Sequence, residues 1–100
     1  MGLETVRQGD TCIVIKIVGR FDFSCHAAFR DAYTGAPSGC EFVVDMADAS
    51  YMDSAALGML LLLREHVQQQ GGRVSITNCR GQTYDVLQIA NFHRLFKIAQ

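Results

Sequence analysis

A single proline, Pro37, stands in 100 residues of which 49% are hydrophobic. That combination excludes a disordered chain, which has too little apolar surface to offset the entropy of ordering. No linker, internal repeat or low-complexity segment interrupts it. Charge of one sign is also missing: 9 Lys and Arg face 10 Asp and Glu, for a net charge of -1. A bulk electrostatic drive toward nucleic acid or anionic lipid is thereby excluded. The longest apolar run covers residues 55–63 and ends at Arg64, Glu65 and His66, well short of the roughly 20 residues a membrane-spanning helix needs. Residues 1–10 hold no apolar signal core. The Met-Gly start carries Val6 where a myristoylation signal has Ser or Thr. Neither GxxxxGK[ST] nor GxGxxG occurs, so nucleotide binding has no support. The spacings of Cys12, Cys25, Cys40 and Cys79 match no zinc or redox pair. Buried, reduced thiols in a soluble cytoplasmic protein are the expectation.

A chain of this size is expected to form one domain, residues 1–100, with an accessible surface of about 5,600 Å². Residues 3–8 read as a short strand and Gly9-Asp10 as a hairpin turn. Residues 11–18 alternate, with Ile13, Ile15 and Ile17 on one face and Cys12, Val14, Lys16 and Val18 on the other. Both faces are mostly apolar, which predicts a central strand largely covered on both sides. Residues 19–22 break it. Ser24 is placed to cap a helix to about Tyr33, with Cys25, Ala28, Phe29 and Ala32 on its apolar stripe. A loop at 35–39 leads to a short strand at 42–44, and a second loop spans 46–52. A helix from Asp53-Ser54 stops at Gly71-Gly72. A strand at 73–77, a helix at 82–90 and a closing strand at 95–98 complete the order β-β-α-β-α-β-α-β. Such alternation predicts an α/β fold with a largely parallel sheet after an opening hairpin, and with helices packed on it.

The helix from Ser54 is the informative segment. At 100° per residue from Ser54, the positions Ala56, Leu60, Leu63 and Val67 cluster between about 180° and 240°, the core stripe. Ser54, Gly58, Leu61 and Glu65 cluster near 0°, on the opposite side, with Leu62 at about 80°. The first turns are therefore apolar nearly all round, and either a neighbouring helix or a partner must cover them. Small residues at Ser54, Ala55 and Gly58 allow close backbone approach. Ser54 can act as an N-cap, contributing about 1 kcal/mol. It can also accept a phosphate, whose charge of about -1.5 to -2 a helix N-terminus tolerates.

The run Asp45…Tyr51-Met52-Asp53-Ser54-Ala55-Ala56-Leu57-Gly58 resembles the signature of STAS domains, specifically bacterial anti-anti-sigma factors (anti-sigma factor antagonists). The similarity covers nearly the whole chain. Residues 18–22, Val-Gly-Arg-Phe-Asp, resemble the segment after the family's second strand. Residues 84–89 with Phe92 and residues 95–98 resemble its closing helix and strand. The resemblance implies a small mixed sheet with helices packed on it. It also implies a protein that binds an anti-sigma factor, frees a sigma factor, is switched off by a serine kinase and is restored by a phosphatase. It places the phosphorylated serine at Ser54 and partner contacts at Asp22, Asp53 and Gly58. Leu61 and Leu62 join the partner surface from the helical wheel alone. Ala55 and Ala56 depart from the family's usual serine and glycine, which leaves Ser54 as the acceptor, with Ser50 a secondary one. Many relatives carry a further C-terminal helix; stopping at Gln100 is expected to leave one flank less covered.

Other readings compete. Some STAS proteins are cytoplasmic subunits of ABC transporters in lipid trafficking, often with Thr where Ser54 stands. An enzyme would need a base near Ser54, but His66 lies about 18 Å along the same helix by rise, and His26 and His93 read as surface or half-buried residues. Asp22, Asp45, Asp48 and Asp53 read as turn and cap residues more readily than as metal ligands. No catalytic, metal or cofactor residues are expected, and no direct contact with nucleic acid or membrane. The apolar patch admits a monomer or a weak homodimer.

Overall fold

The computed structural model describes residues 2–9 and 11–100. Met1 and the Asp10 half of the expected hairpin turn lie outside the described residues. The elements run β1 (Gly2–Gln8), β2 (Cys12–Phe21), a 3-10 turn (Phe23–Cys25), α1 (His26–Thr34), β3 (Glu41–Met52), α2 (Ser54–Gln69), β4 (Arg73–Thr77), α3 (Gly81–Ile89), a second 3-10 turn (Phe92–Arg94) and β5 (Lys97–Ile98). The expected order holds. The strands lie side by side in chain order in one five-stranded sheet. β1 is antiparallel to β2, and every later pair is parallel. The accessible surface is 5514 Å².

Period-2 alternation sets the core. Ile13, Ile15 and Ile17 of β2, Phe42, Val44 and Met46 of β3 and Ile76 of β4 are buried and form one cluster with the inner faces of the helices. α1 contributes Phe29 and Tyr33, whose rings meet edge to face at 5.9 Å. α2 contributes Ala56, Met59, Leu60, Leu63 and Val67, the stripe its helical spacing predicts with Met59 added on the α1 side. Burying each of the larger side chains contributes about 1.5–3 kcal/mol. The expected cover over both faces of β2 is not there. Cys12, Val14, Lys16 and Val18 are only half-buried, because α1 and α2 join the isoleucine face. Cys25, Cys40 and Cys79 are buried and Cys12 is half-buried.

Two strands are longer than the sequence pattern suggests. β2 continues through Gly19-Arg20-Phe21, and β3 continues through residues 46–52, where a loop was expected. They extend together as a parallel pair. β3 carries one extra residue between the rungs Lys16↔Asp45 and Val18↔Asp48, and another between Gly19↔Ala49 and Arg20↔Tyr51. Each bulge flips the inside-outside alternation, which hides the strand from a period-2 reading. Asp45 pins the first bulge, its Oδ1 accepting from Ala47 N at 2.9 Å.

α2 ends where the two glycines predict. Gly71 takes φ +78°, the left-handed conformation of a helix stop, and Gly72 N donates to Val67 O at 2.9 Å. Gly72 also has no room for a side chain: a Cβ there would stand 2.1 Å from Cys40 O. The α2 terminus is thus packed directly on the backbone entering β3.

Candidate functional site

The rung Phe21↔Met52 ends β2 and β3 in register, so Asp22 and Asp53 emerge side by side at the carboxyl edge of the sheet. Both are extended, and each caps the helical segment after it. Asp22 Oδ1 accepts from Ser24 N at 3.0 Å and from the Ser24 hydroxyl. Its Oδ2 accepts from Arg20 Nε at 3.3 Å. The Ser24 hydroxyl and amide, then the Arg20 guanidinium, hold the Asp22 carboxyl below its ordinary value of 3.8. Arg20 also lies over the ring of its register partner Tyr51, 4.2 Å from the centroid.

Asp53 Oδ1 accepts from Ala56 N at 3.1 Å and so caps α2. This corrects the sequence reading twice. Ser54 is not the cap of α2, because Asp53 before it is, a carboxylate accepting an amide hydrogen bond more strongly than a hydroxyl does. Ser24 lies inside the 3-10 turn that Asp22 caps, and α1 starts after Cys25 with no side-chain cap. Ser54 becomes the first residue of α2, solvent-exposed, with its hydroxyl released from the capping role.

The stripe beyond Ser54 is open. Gly58 is exposed, and a Cβ built on it would meet nothing within 4 Å. Leu61 and Leu62 are 41% and 54% exposed. Leu62 leans over the α1–α2 seam with Arg30 and Tyr33. The structure therefore brings Asp22, Asp53 and Ser54 to one edge and runs Gly58, Leu61 and Leu62 away from it along one helix face. It does not bring His66 to Ser54: the His66 ring packs against Tyr33, 5.2 Å away. Among the described residues, no group of three or more His, Cys, Asp or Glu could hold a metal ion. Among them, too, no helix is long and apolar enough to cross a membrane.

Sequence reasoning missed three features of this edge. Phe23, next to Asp22, is 68% exposed and stacks on His26. An apolar groove of about 380 Å³ beside Ser54 is walled by Leu57, Val86 and Ile89, the last 82% exposed. A signal existed for both of these. Phe23 fits no core stripe of α1. In α3 the buried pair Thr83 and Leu87 is spaced i, i+4, which leaves Val86 and Ile89 on another flank. The third feature is Gln82, whose side-chain amide bonds both backbone groups of Met52: Nε2 donates to Met52 O at 2.9 Å and Oε1 accepts from Met52 N at 3.0 Å. No local pattern announces a contact across 30 residues.

Comparison with known proteins fits this geometry. A family model described as "Mlab, STAS domain" matches residues 4–98. A STAS-domain containing protein of Pseudomonas aeruginosa is 48% identical over 88 residues, 87% of each chain. The anti-sigma-B factor antagonist of Bacillus subtilis is 25% identical over 95 residues, 94% of this chain and 87% of that one. A solved structure of a putative anti-sigma factor antagonist from Thermotoga maritima superposes with a TM-score of 0.81 at 16% identity, covering 98% of this chain and 86% of that one.

Proposed function

Because the chain belongs to the STAS domain family, as an anti-sigma factor antagonist-like member, we propose that it is a phosphorylation-gated binding module for an anti-sigma factor. Unmodified, it docks the α2 stripe and the Asp22 edge onto that partner and so frees a sigma factor. It acts on transcription through protein contacts, as a non-enzymatic cytoplasmic protein. A serine kinase modifies Ser54 and a phosphatase restores it.

The observation that carries this reading is the state of Ser54. It is exposed at the first position of α2, its hydroxyl is free of the cap, and apolar surface flanks it. Asp53 keeps the cap, so a phosphate can be added without undoing the helix start. The helix dipole tolerates the charge. A partner packed over Leu57 and Gly58 does not, because it must desolvate a hydrated dianion. Gly58 supports the same surface. The fold leaves room for a side chain there, and a mid-helix glycine costs about 0.5–1 kcal/mol relative to alanine, so its smallness serves a body approaching from outside.

The test is a binding measurement with purified anti-sigma factor on wild type, Ser54→Ala and Ser54→Asp. Ser54→Ala should bind like wild type and resist the kinase. Ser54→Asp should unfold normally in denaturant yet lose about a hundredfold in affinity, roughly 2.8 kcal/mol. Tight binding by Ser54→Asp, or phosphate mapped by mass spectrometry to Ser50 or elsewhere, contradicts the proposal. Binding to a transporter ATPase subunit in place of an anti-sigma factor would instead favour the transporter reading.

A further inference from the structure

β4 ends its pairing with β3 at the rung Asp45↔Thr77, yet β3 runs on to Met52. Beyond that rung the β2 side of β3 is still paired, while β4 no longer supplies the other side. The connection into α3 takes over through side chains. Asn78 Nδ2 donates to Asp45 Oδ1 at 2.9 Å, Arg80 Nη2 donates to Ala47 O at 3.0 Å, and Gln82 closes on Met52. Of these three side chains, Gln82 is the one that makes two hydrogen bonds, one to each backbone polar group of its partner residue. Met52 is fully buried, so its backbone groups need partners from the protein. The Gln82 amide serves as a one-residue strand, and it acts immediately before Asp53-Ser54.

We infer that Gln82 is a positioning residue for Ser54: by fixing the Met52 backbone it sets where the Asp53 cap starts the first turn of α2, and so where the Ser54 hydroxyl stands for phosphoryl transfer. The inference rests on the reading of Ser54 as the phosphoacceptor. The hydrogen bonds of the clamp go to Met52 and not to the hydroxyl or to the exposed stripe at Gly58, Leu61 and Leu62. Loss of the clamp therefore shifts the first turn of α2, where Ser54 stands, while Gly58, Leu61 and Leu62 keep the position that the buried Met59, Leu60, Leu63 and Val67 give the rest of the helix. In phosphoryl transfer from ATP the Ser54 oxygen forms a bond to the γ-phosphorus, the bond from that phosphorus to the ADP oxygen breaks, and the hydroxyl proton leaves to a base on the kinase. The rate depends on the alignment of those atoms.

The experiment uses the full chain, ATP and the purified serine kinase that phosphorylates wild-type Ser54. Gln82→Ala is expected to lower kcat about tenfold while KM for the chain stays within about twofold. Amide hydrogen exchange at Met52 should accelerate in the same variant. Gln82→Glu keeps an acceptor for Met52 N but loses the donor to Met52 O, so partial recovery of kcat is expected. It also serves if Gln82→Ala fails to fold. Gln88→Ala, on the same helix with its amide on the Tyr84 hydroxyl, should match wild type. Unchanged kcat in Gln82→Ala with accelerated exchange at Met52 overturns the positioning role and leaves the Ser54 reading intact. Equal losses in Gln82→Ala and Gln88→Ala overturn it too, because the effect then belongs to α3 as a whole. Phosphorylation of wild type at a residue other than Ser54 overturns both readings.

Discussion

Asp22 and Asp53 are structural equivalents. Each is the first residue past an in-register strand end, each is extended, and each accepts an amide hydrogen bond from the next turn of the chain. Removing the second cap should therefore register as a stability change. Asp53→Ala is expected to lower unfolding free energy by about 1 kcal/mol, a fall of about 4–8 °C in Tm for a chain of this size. Thermal unfolding followed by circular dichroism checks it, and an unchanged Tm would show that Ser54 or water replaces the cap.

The first cap gives a pH signature. The Asp22 carboxyl titrates below 3.8 in the folded chain because Ser24 and Arg20 favour its charged form. Its contribution to stability is present above the unfolded value and fades as the pH drops through the lower folded one. A carboxyl-resolved NMR titration should find it below 3.8, and Asp22→Asn should flatten part of the acid limb of the stability profile.

Cys79 works in the opposite direction. Burial pushes its thiol from 9.0 up to about 11, with Asp45 adding to the shift. The neutral thiol is favoured in the folded chain. Its contribution is full below pH 9.0 and is lost as the pH rises toward about 11. Denaturant midpoints should fall across that window in wild type and less so in Cys79→Ala. At neutral pH a thiol reagent should label half-buried Cys12 well before Cys79.

Gly58 and Gly72 should respond to alanine with opposite signs. Gly58→Ala meets no neighbour and is expected to stabilise the chain by about 0.5–1 kcal/mol. Gly72→Ala drives a Cβ to 2.1 Å from Cys40 O, an overpacking that should cost about 1–3 kcal/mol. Urea unfolding separates them. In binding, Gly58→Leu should weaken the anti-sigma contact without loss of fold, whereas Gly72→Ala should affect binding only through lost stability.

Much of the fold is legible in local pattern. Ile13, Ile15 and Ile17 announce their buried face, and Ala56, Leu60, Leu63 and Val67 announce the core side of α2. The glycine pair at 71–72 marks the helix end. The hidden parts depend on partners distant in sequence. The extension of β3 escapes notice because bulges break its alternation, and that of β2 because Gly19-Arg20 reads as a break; each is justified only by the other. Ser54 and its neighbourhood could be picked out because spacing exposes them, but the cap belongs to Asp53, and a serine and an aspartate in tandem offer the same hydrogen bond. Phe23 and Ile89 leave a trace as apolar residues outside the core stripes, but Gln82 reaches the edge by tertiary packing, which no window of neighbouring residues encodes.

The joint overrun of β2 and β3 past β4 has a mechanical corollary. The serine stands at the tip of a cantilever, braced along one flank by the side chains of residues 78, 80 and 82. Lengthening or shortening residues 46–50 together with the paired stretch of β2 would slide that tip in or out while the main body of the sheet kept its rungs. Reach toward a partner is thereby adjustable in evolution or by design, independently of the core.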